Sequence, residues 1–154
     1  MSSNQEKTDR ALKLWVVLSR AHAAVAAHSQ ADIARHGLTP MEFGILEALH
    51  HKGPMLLGEV QKKILVTSGG VTYLVDRLAA KGLVERRRCE HDRRAYYAAL
   101  TPAGEELIRE IFPAHAEAIR HAMAGLTEQE KDAAIDLLRT LGRHAAETDA
   151  RDGS

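Results

Sequence analysis

Residues 67 to 101 constrain the fold of this chain more than any other stretch. They read TSGGVTYLVDRLAAKGLVERRRCEHDRRAYYAALT, a short helix running into a hairpin whose turn is tipped with arginine. Val71, Leu74, Val75, Leu78 and Ala79 recur at helical spacing, which predicts one buried face. Ser68, Gly69, Thr72, Tyr73, Asp76 and Arg77 fall on the opposite face. Thr67 or Ser68 is placed to cap the helix, and Gly82 to end it after Lys81. Two strands should follow, with His91, Asp92, Arg93 and Arg94 at the exposed tip between them. The outer helix face is small, polar and hydrogen-bonding, so it can enter a major groove and touch base edges. A helix for one groove beside a basic finger for another is the layout of a winged helix-turn-helix DNA reader.

The flanking segments read as helices. Residues 1 to about 9 are polar and expected to be disordered, and a long helix should run from about Arg10 to Arg35. Its apolar set (Leu12, Leu14, Trp15, Val16, Val17, Leu18, Ala21, Val25) spans an arc broad enough to pack on more than one side. Thr39-Pro40-Met41-Glu42 supplies an N-cap, a proline at the first helical position and a capping box. Met41, Ile45, Ala48 and Leu49 would line that helix's inner face, and Lys52-Gly53-Pro54 would end it. A short helix from about Gly58 to Leu65 turns Val60 and Ile64 inward. Beyond the hairpin, Thr101-Pro102 caps a helix with Leu107, Ile108, Ile111, Phe112, His115 and Ile119 as its stripe. Pro113 inside it should bend or break it. Thr127 and Glu130 form a second capping box, opening a helix with Ala134, Leu137, Leu138 and Leu141 on its apolar face.

The fold class expected is therefore mainly α with a small β-hairpin wing, in one domain over residues 1–154. Residues 38–101 form the winged helix-turn-helix, and 10–36 and 102–146 form dimerisation helices. The outer segments have no large sheet to pack against, so pairing between two subunits would bury them. Such a two-fold protein reads a palindromic double-stranded operator, with half-sites about 10–10.5 base pairs apart.

Composition narrows the classes further. A length of 154 residues suits one domain with a real core. Hydrophobic residues make up 45% of the chain and aromatics only 4% of it, so the core is built from Leu, Ile, Val and Ala. No run approaches the ~18 apolar residues that span a bilayer, the opening MSSNQEKTDR lacks a signal peptide's apolar segment, and Cys89 is the single cysteine. A cytoplasmic protein with no membrane association is expected. Twenty-one bases balance 21 acids overall. Locally the charge is uneven: residues 77 to 94 hold seven bases (Arg77, Lys81, Arg86, Arg87, Arg88, Arg93, Arg94) against three acids (Glu85, Glu90, Asp92). From Glu128 onward seven acids face four bases. That asymmetry suits docking of a phosphate backbone at the hairpin.

The string VTYLVDRLAAKGLVERRRCEHDRRAYYAALTPAGEEL, Val71 to Leu107, combines D-R-L-x-x-K-G-L-V with D-R-R and L-T-x-x-G. LTPMEFGILEALHHKG, Leu38 to Gly53, precedes it. On these residues, and along almost its whole length, the chain resembles the MarR family (multiple antibiotic resistance regulators). The resemblance implies an obligate, triangular homodimer that binds an operator near its own or a neighbouring promoter. It implies a repressor, released by a small phenolic or oxidising effector. Carried over by position, it puts Ser68, Gly69, Gly70, Thr72, Tyr73 and Arg77 in the major groove or on its phosphates, and Arg93 and Arg94 at the wing tip, one of them in the minor groove. Asp92 would position a neighbouring arginine. Many relatives carry a larger polar side chain where Gly69 and Gly70 stand. The pair weakens the helix by about 1 kcal/mol each relative to Ala and allows the backbone to approach DNA closely. LWVVLSRAHAAV and KILVTSGGVTYLVD are most similar to the branch that senses quinones and hydroquinones.

Other residues invite sharper readings. Trp15, His22, Met41, Phe43 and His50 could line an aromatic-ligand pocket, the alternative for each being ordinary core. Cys89 has Arg86, Arg87, Arg88 and His91 nearby, and cations favour a reactive thiolate; a plain hairpin cysteine is the simpler expectation. No metal site is expected. His50 and His51 project about 100° apart on a helix, and no H-E-x-x-H or C-x-x-C occurs. A cluster of His22, His28, His36, His115 and His121 across a dimer stays open. No G-x-S-x-G, P-loop or dinucleotide fingerprint is present, so neither catalysis nor a cofactor is expected. The alternative function is a dimeric helical module that uses the basic hairpin to bind an acidic protein partner.

Overall fold

The first helix starts well before the position its apolar pattern suggests. In a computed structural model, which describes residues 3–64 and 68–152, α1 runs from Ser3 to Ala34. The polar opening is thus helical from Ser3, not irregular to residue 9. Gln, Glu and Lys are good helix formers, and a Gln5–Asp9 hydrogen bond of 2.9 Å supports the first turns. Helix α2 (Pro40–Lys52) follows, then β1 (Met55–Leu56), α3 (Leu57–Ile64), α4 (Ser68–Ala80), β2 (Val84–Arg88), β3 (Tyr96–Leu100), α5 (Pro102–Ala122) and α6 (Glu128–Asp152). Thr67, one of the two expected caps of α4, lies outside the described residues.

Local chemistry sets most of these boundaries. Thr39 Oγ1 accepts from the Glu42 amide at 3.2 Å while Glu42 Oε1 accepts from the Thr39 amide at 3.0 Å, completing the capping box. Thr127 and Glu130 repeat it at α6, at 3.2 and 2.9 Å. Gly82 ends α4 with φ of 76°, a left-handed backbone that a side chain would strain. Pro113 neither ends nor breaks α5. It sits on the exposed side of the helix, where water can take the Arg109 carbonyl that loses its amide donor.

The sheet has three strands rather than the expected two, in the order β1-β3-β2 and antiparallel throughout. β2 pairs with β3 from Val84↔Leu100 to Arg88↔Tyr96. β1 adds Met55↔Ala98 and Leu56↔Tyr97, which brings buried Met55 beside fully buried Ala98. Two residues are too few to show alternation, so this strand is invisible as a pattern.

The chain divides into two units, Met1–Ile119 and Arg120–Ser154. The first contains the core: Ile33 and Leu38, then Phe43, Ile45, Leu46, Ala48 and Leu49 of α2, Val60 of α3, Val71, Val75 and Leu78 of α4, Val84, Ala98, and Ile108 and Ile111 of α5. The inner face of α2 includes Ile45, Ala48 and Leu49 as expected but is wider, and Met41 is not part of it. Met41 is 48% exposed, whereas Glu42, Phe43 and Leu46 are buried. α2 touches α1, α3, α4 and β3, so it is enclosed rather than striped. The second unit is a helix whose Ile135, Leu137, Leu138 and Leu141 are exposed in the single chain, Leu137 at 71%. Among the described residues no helix is long and apolar enough to cross a membrane.

One close approach locks the wing to α5. Thr101 Oγ1 donates to the Gly82 carbonyl at 2.6 Å and accepts from the Gly104 amide at 3.0 Å. A Cβ placed on Gly104 would stand 2.0 Å from the Leu83 carbonyl oxygen. The L-T-x-x-G string therefore exists to let a helix end sit directly on backbone.

Candidate nucleic-acid interface

Helix α4 buries Val71, Val75 and Leu78 and half-buries Leu74 and Ala79, as its spacing demands. Its other side carries exposed Gly69, Tyr73, Asp76 and Arg77, with Thr72 half-buried. Ser68 opens the helix and Gly70 is half-buried within its first turn. A Cβ on Gly69 would meet nothing within 4 Å, so packing does not require glycine there. The side is fixed to the hairpin by Asp76, whose Oδ1 accepts from Arg86 Nη1 at 3.0 Å. Arg86 also lies over the Tyr96 ring, 4.6 Å from its centroid.

The arginines of the hairpin are not equivalent. Arg87 Nε donates to Glu85 at 2.7 Å. Arg88 hydrogen-bonds the Tyr96 hydroxyl and, with its charge, holds that phenol below its usual range. Arg93 and Arg94 are exposed at the turn, and among the described residues their guanidinium groups have no partner. The turn is itself built: the Cys89 amide donates to the Ala95 carbonyl at 3.0 Å, and the Ala95 amide to the Asp92 carbonyl at 3.1 Å. Asp92 Oδ1 accepts from the Arg94 amide at 2.9 Å, which places the arginine through its backbone. An open groove of about 700 Å³ joins these parts, lined by Gly58 and Lys62 of α3, Thr72 of α4, and Arg86, Arg94 and Tyr96 of the wing.

On the far side of α4 lies Glu42, which the sequence offers only as a helix cap. It is fully buried. Its Oε2 accepts from Lys81 Nζ at 2.8 Å and stands 3.7 Å from Arg77 Nε, while Arg77 Nη1 donates to the Tyr73 hydroxyl at 3.2 Å. Burial pushes the carboxyl's pKa up. The Lys81 hydrogen bond, the bonds from Thr39 and the Lys81 charge outweigh it and leave the value below the ordinary one.

The five residues read as an effector pocket are placed apart. Trp15 (66% exposed) and His22 lie on the open surface of α1. Phe43 is core, its ring 4.4 Å from that of His115. His50 is half-buried and its Nδ1 lies 2.9 Å from Glu105 of α5. Met41 lines a cavity of about 510 Å³ with Gln30, Pro40, Tyr73, Leu74 and Arg77. His115 is buried, with Nδ1 3.4 Å from Asp32 Oδ2, a pairing the sequence did not reveal. Cys89 is half-buried in a cavity of about 320 Å³ beside Arg87, Arg88, His91 and Tyr97. Contact with Cys89 raises the Tyr97 phenol. No group of three or more metal-ligating side chains occurs among the described residues.

A buried two-helix unit that presents α4 beside a basic three-stranded wing defines the winged helix-turn-helix class of DNA-binding protein. A match to the MarR family extends over residues 36–95. The chain is 39% identical to the HTH-type transcriptional regulator YkoM of Bacillus subtilis (strain 168), over 94% of each. It is 41% identical to the HTH-type transcriptional regulator MhqR of the same organism, over 90% of this chain and 95% of MhqR. Among solved structures, BpsR of Bordetella bronchiseptica superposes with a TM-score of 0.74 at 30% identity, covering 82% of this chain and 90% of that one. BpsR's DNA binding is regulated by 6-hydroxynicotinic acid. The chain belongs to the MarR family. It is a DNA-binding regulator of transcription, not an enzyme.

Proposed function

We propose that the protein is a homodimeric repressor that seats two copies of α4 in successive major grooves of a palindromic operator. Ser68, Gly69, Gly70, Thr72, Tyr73 and Arg77 face the groove or its phosphates, and Arg93 and Arg94 reach toward the minor groove beside it. The observation that carries this reading is the shared groove, in which Thr72 of α4 and Arg94 of the wing line one open surface. Arg93 and Arg94, whose guanidinium groups have no partner among the described residues, add to it, because a guanidinium already held by a carboxylate has less to offer a phosphate.

A second copy is supported by the exposed apolar side chains of α1 and, separately, of α6. A monomer rarely leaves such surfaces open to water. Release by a small phenolic or quinone-type effector is the second half of the proposal. Its support is the Met41 cavity, where a ligand would touch α2 together with Tyr73 and Arg77 of α4, and BpsR's response to a hydroxylated aromatic acid. An acidic protein partner on the hairpin is not favoured, since relatives matched along nearly the whole chain are transcriptional regulators.

Selection from a random duplex library tests the reading. A palindrome should be enriched, and its binding should weaken steeply with salt, log K falling by about 0.9 per neutralised phosphate for each tenfold rise in salt. Enrichment of no sequence would refute it. Met41→Trp, which fills the cavity, should blunt release by hydroquinone while operator binding persists; unaltered release would remove the effector from that cavity.

A further inference from the structure

The buried carboxylate of Glu42 has no explanation in the helix cap it completes. A capping box needs an acceptor at its third helical position, and glutamine serves there as well as glutamate. Burying a charge is costly unless it is paired and fully hydrogen-bonded. A glutamine would keep the bond from the Thr39 amide without that cost. What requires the charge is on the other side of the residue, where Oε2 meets Lys81 at 2.8 Å and lies 3.7 Å from Arg77. Both cations belong to the end of the reading helix or to the residue just beyond it.

The chain of contacts continues outward. Arg77, its Nε facing the Glu42 carboxylate as an ion pair, uses Nη1 to hold the hydroxyl of Tyr73 one turn earlier at 3.2 Å. Tyr73 is otherwise exposed. A fixed oxygen inside the protein is thereby linked to two side chains on the outer face of α4.

We propose that Glu42 is a positioning residue for sequence reading: it anchors Lys81 and Arg77 so that Arg77 and Tyr73 meet DNA already oriented. This rests on the reading of α4 as the helix that enters the groove. The physical gain is in lost freedom. An arginine whose fork is held before binding gives up less side-chain entropy on contact than one that swings free. Orientation matters most for base edges, whose donors and acceptors have fixed geometry, and least for phosphates, which accept a cation from many directions. Glu42 therefore acts on discrimination. As a negative charge near DNA, it contributes nothing to non-specific attraction.

The test compares Glu42→Gln with wild type on two duplexes, one selected by the wild-type protein from a random library and one scrambled from it. The ratio of the two affinities should fall about tenfold in the variant, the scale of one lost base contact. Affinity for the scrambled duplex should be unchanged or slightly tighter. A purely structural role would weaken both duplexes alike and leave the ratio intact, and that result overturns the proposal. If Glu42→Gln does not fold, Lys81→Gln and Lys81→Arg decide: the ratio should fall with glutamine and stay within about twofold of wild type with arginine, which can still reach the carboxylate. An unchanged ratio in Lys81→Gln overturns the proposal as well. Failure of the wild-type protein to select any sequence would sink the regulator reading and this proposal together. Successful selection with an unchanged ratio sinks this proposal alone.

Discussion

Val60, Val71, Val75 and Leu78, on α3 and α4, are sealed within a single chain, whereas Leu12, Leu14, Trp15, Val16 and Val17 on α1 and Ile135, Leu137, Leu138 and Leu141 on α6 stand in the open. All of these residues are apolar and all lie on helices. The difference is in what surrounds them. The reading helices lie against α2 and the sheet, while the outer helices present wide apolar arcs that nothing in the same unit covers. Apolar patterning therefore marks two kinds of surface, one that builds the core around α3 and α4 and one that its own unit leaves uncovered.

The largest effect should come from breaking the second kind. Leu137→Glu combined with Leu141→Glu places charge on the exposed stripe of α6. Sedimentation should show a monomer, and operator affinity should fall by about 10²–10⁴-fold, the gain expected from tethering two half-site readers. The reading unit should melt as before, because none of its core residues is touched. A variant that stays dimeric would show that the α6 stripe is not the covering surface.

Gly104→Ala attacks the first kind. With a Cβ 2.0 Å from the Leu83 carbonyl oxygen, backbone must move against backbone. A loss of about 3 kcal/mol is expected, at the upper end of overpacking effects, read from denaturant midpoints at constant slope. Little change would mean that the start of α5 can lift from the wing.

Legibility in the sequence followed the same division. The capping boxes at Thr39 and Thr127 and the stop at Gly82 were readable because their chemistry is local, confined to a few consecutive residues. The buried face of α2 was readable only in part: Ile45, Ala48 and Leu49 lie inside as expected. That helix is enclosed by four elements, so Phe43 and Leu46 go inside while Met41, which fits the expected stripe, stays out. β1 was too short to carry a pattern, and Ser3–Asp9 offered helix propensity without apolar period. The ion pairs that organise the interface were hidden for another reason. Glu42 and Lys81 are 39 residues apart, Asp76 and Arg86 ten, and neither pairing has a sequence signature. The glycine of L-T-x-x-G was visible as a motif, but its purpose needed the Leu83 carbonyl above it.

Acid should expose the Glu42 anchor next. The carboxyl titrates below its ordinary value near 4.5 in the folded protein. Its stabilising effect is thus fully present above that value and is lost as pH falls through the depressed one. Wild-type melting temperature should drop more steeply below about pH 4.5 than that of Glu42→Gln, which has nothing to protonate there. Parallel profiles would place the acid sensitivity in other carboxylates.

The smallest effect separates two arginines of one hairpin. Arg94 is exposed with its guanidinium unpartnered among the described residues, while its amide is fixed by Asp92. Arg87 is held by Glu85. Arg94→Ala should weaken the selected and scrambled duplexes by a similar factor, about tenfold, and lower the slope of log K against log salt by about 1. Arg87→Ala removes a cation whose charge is already balanced across an exposed pair, and such pairs are worth little, so its effect should stay within about twofold. The dimer should survive both changes. Equal losses in the two variants would mean that the wing acts through total charge. Unequal losses, with Arg94 the larger, would mean that pairing inside the protein decides which arginines remain for DNA.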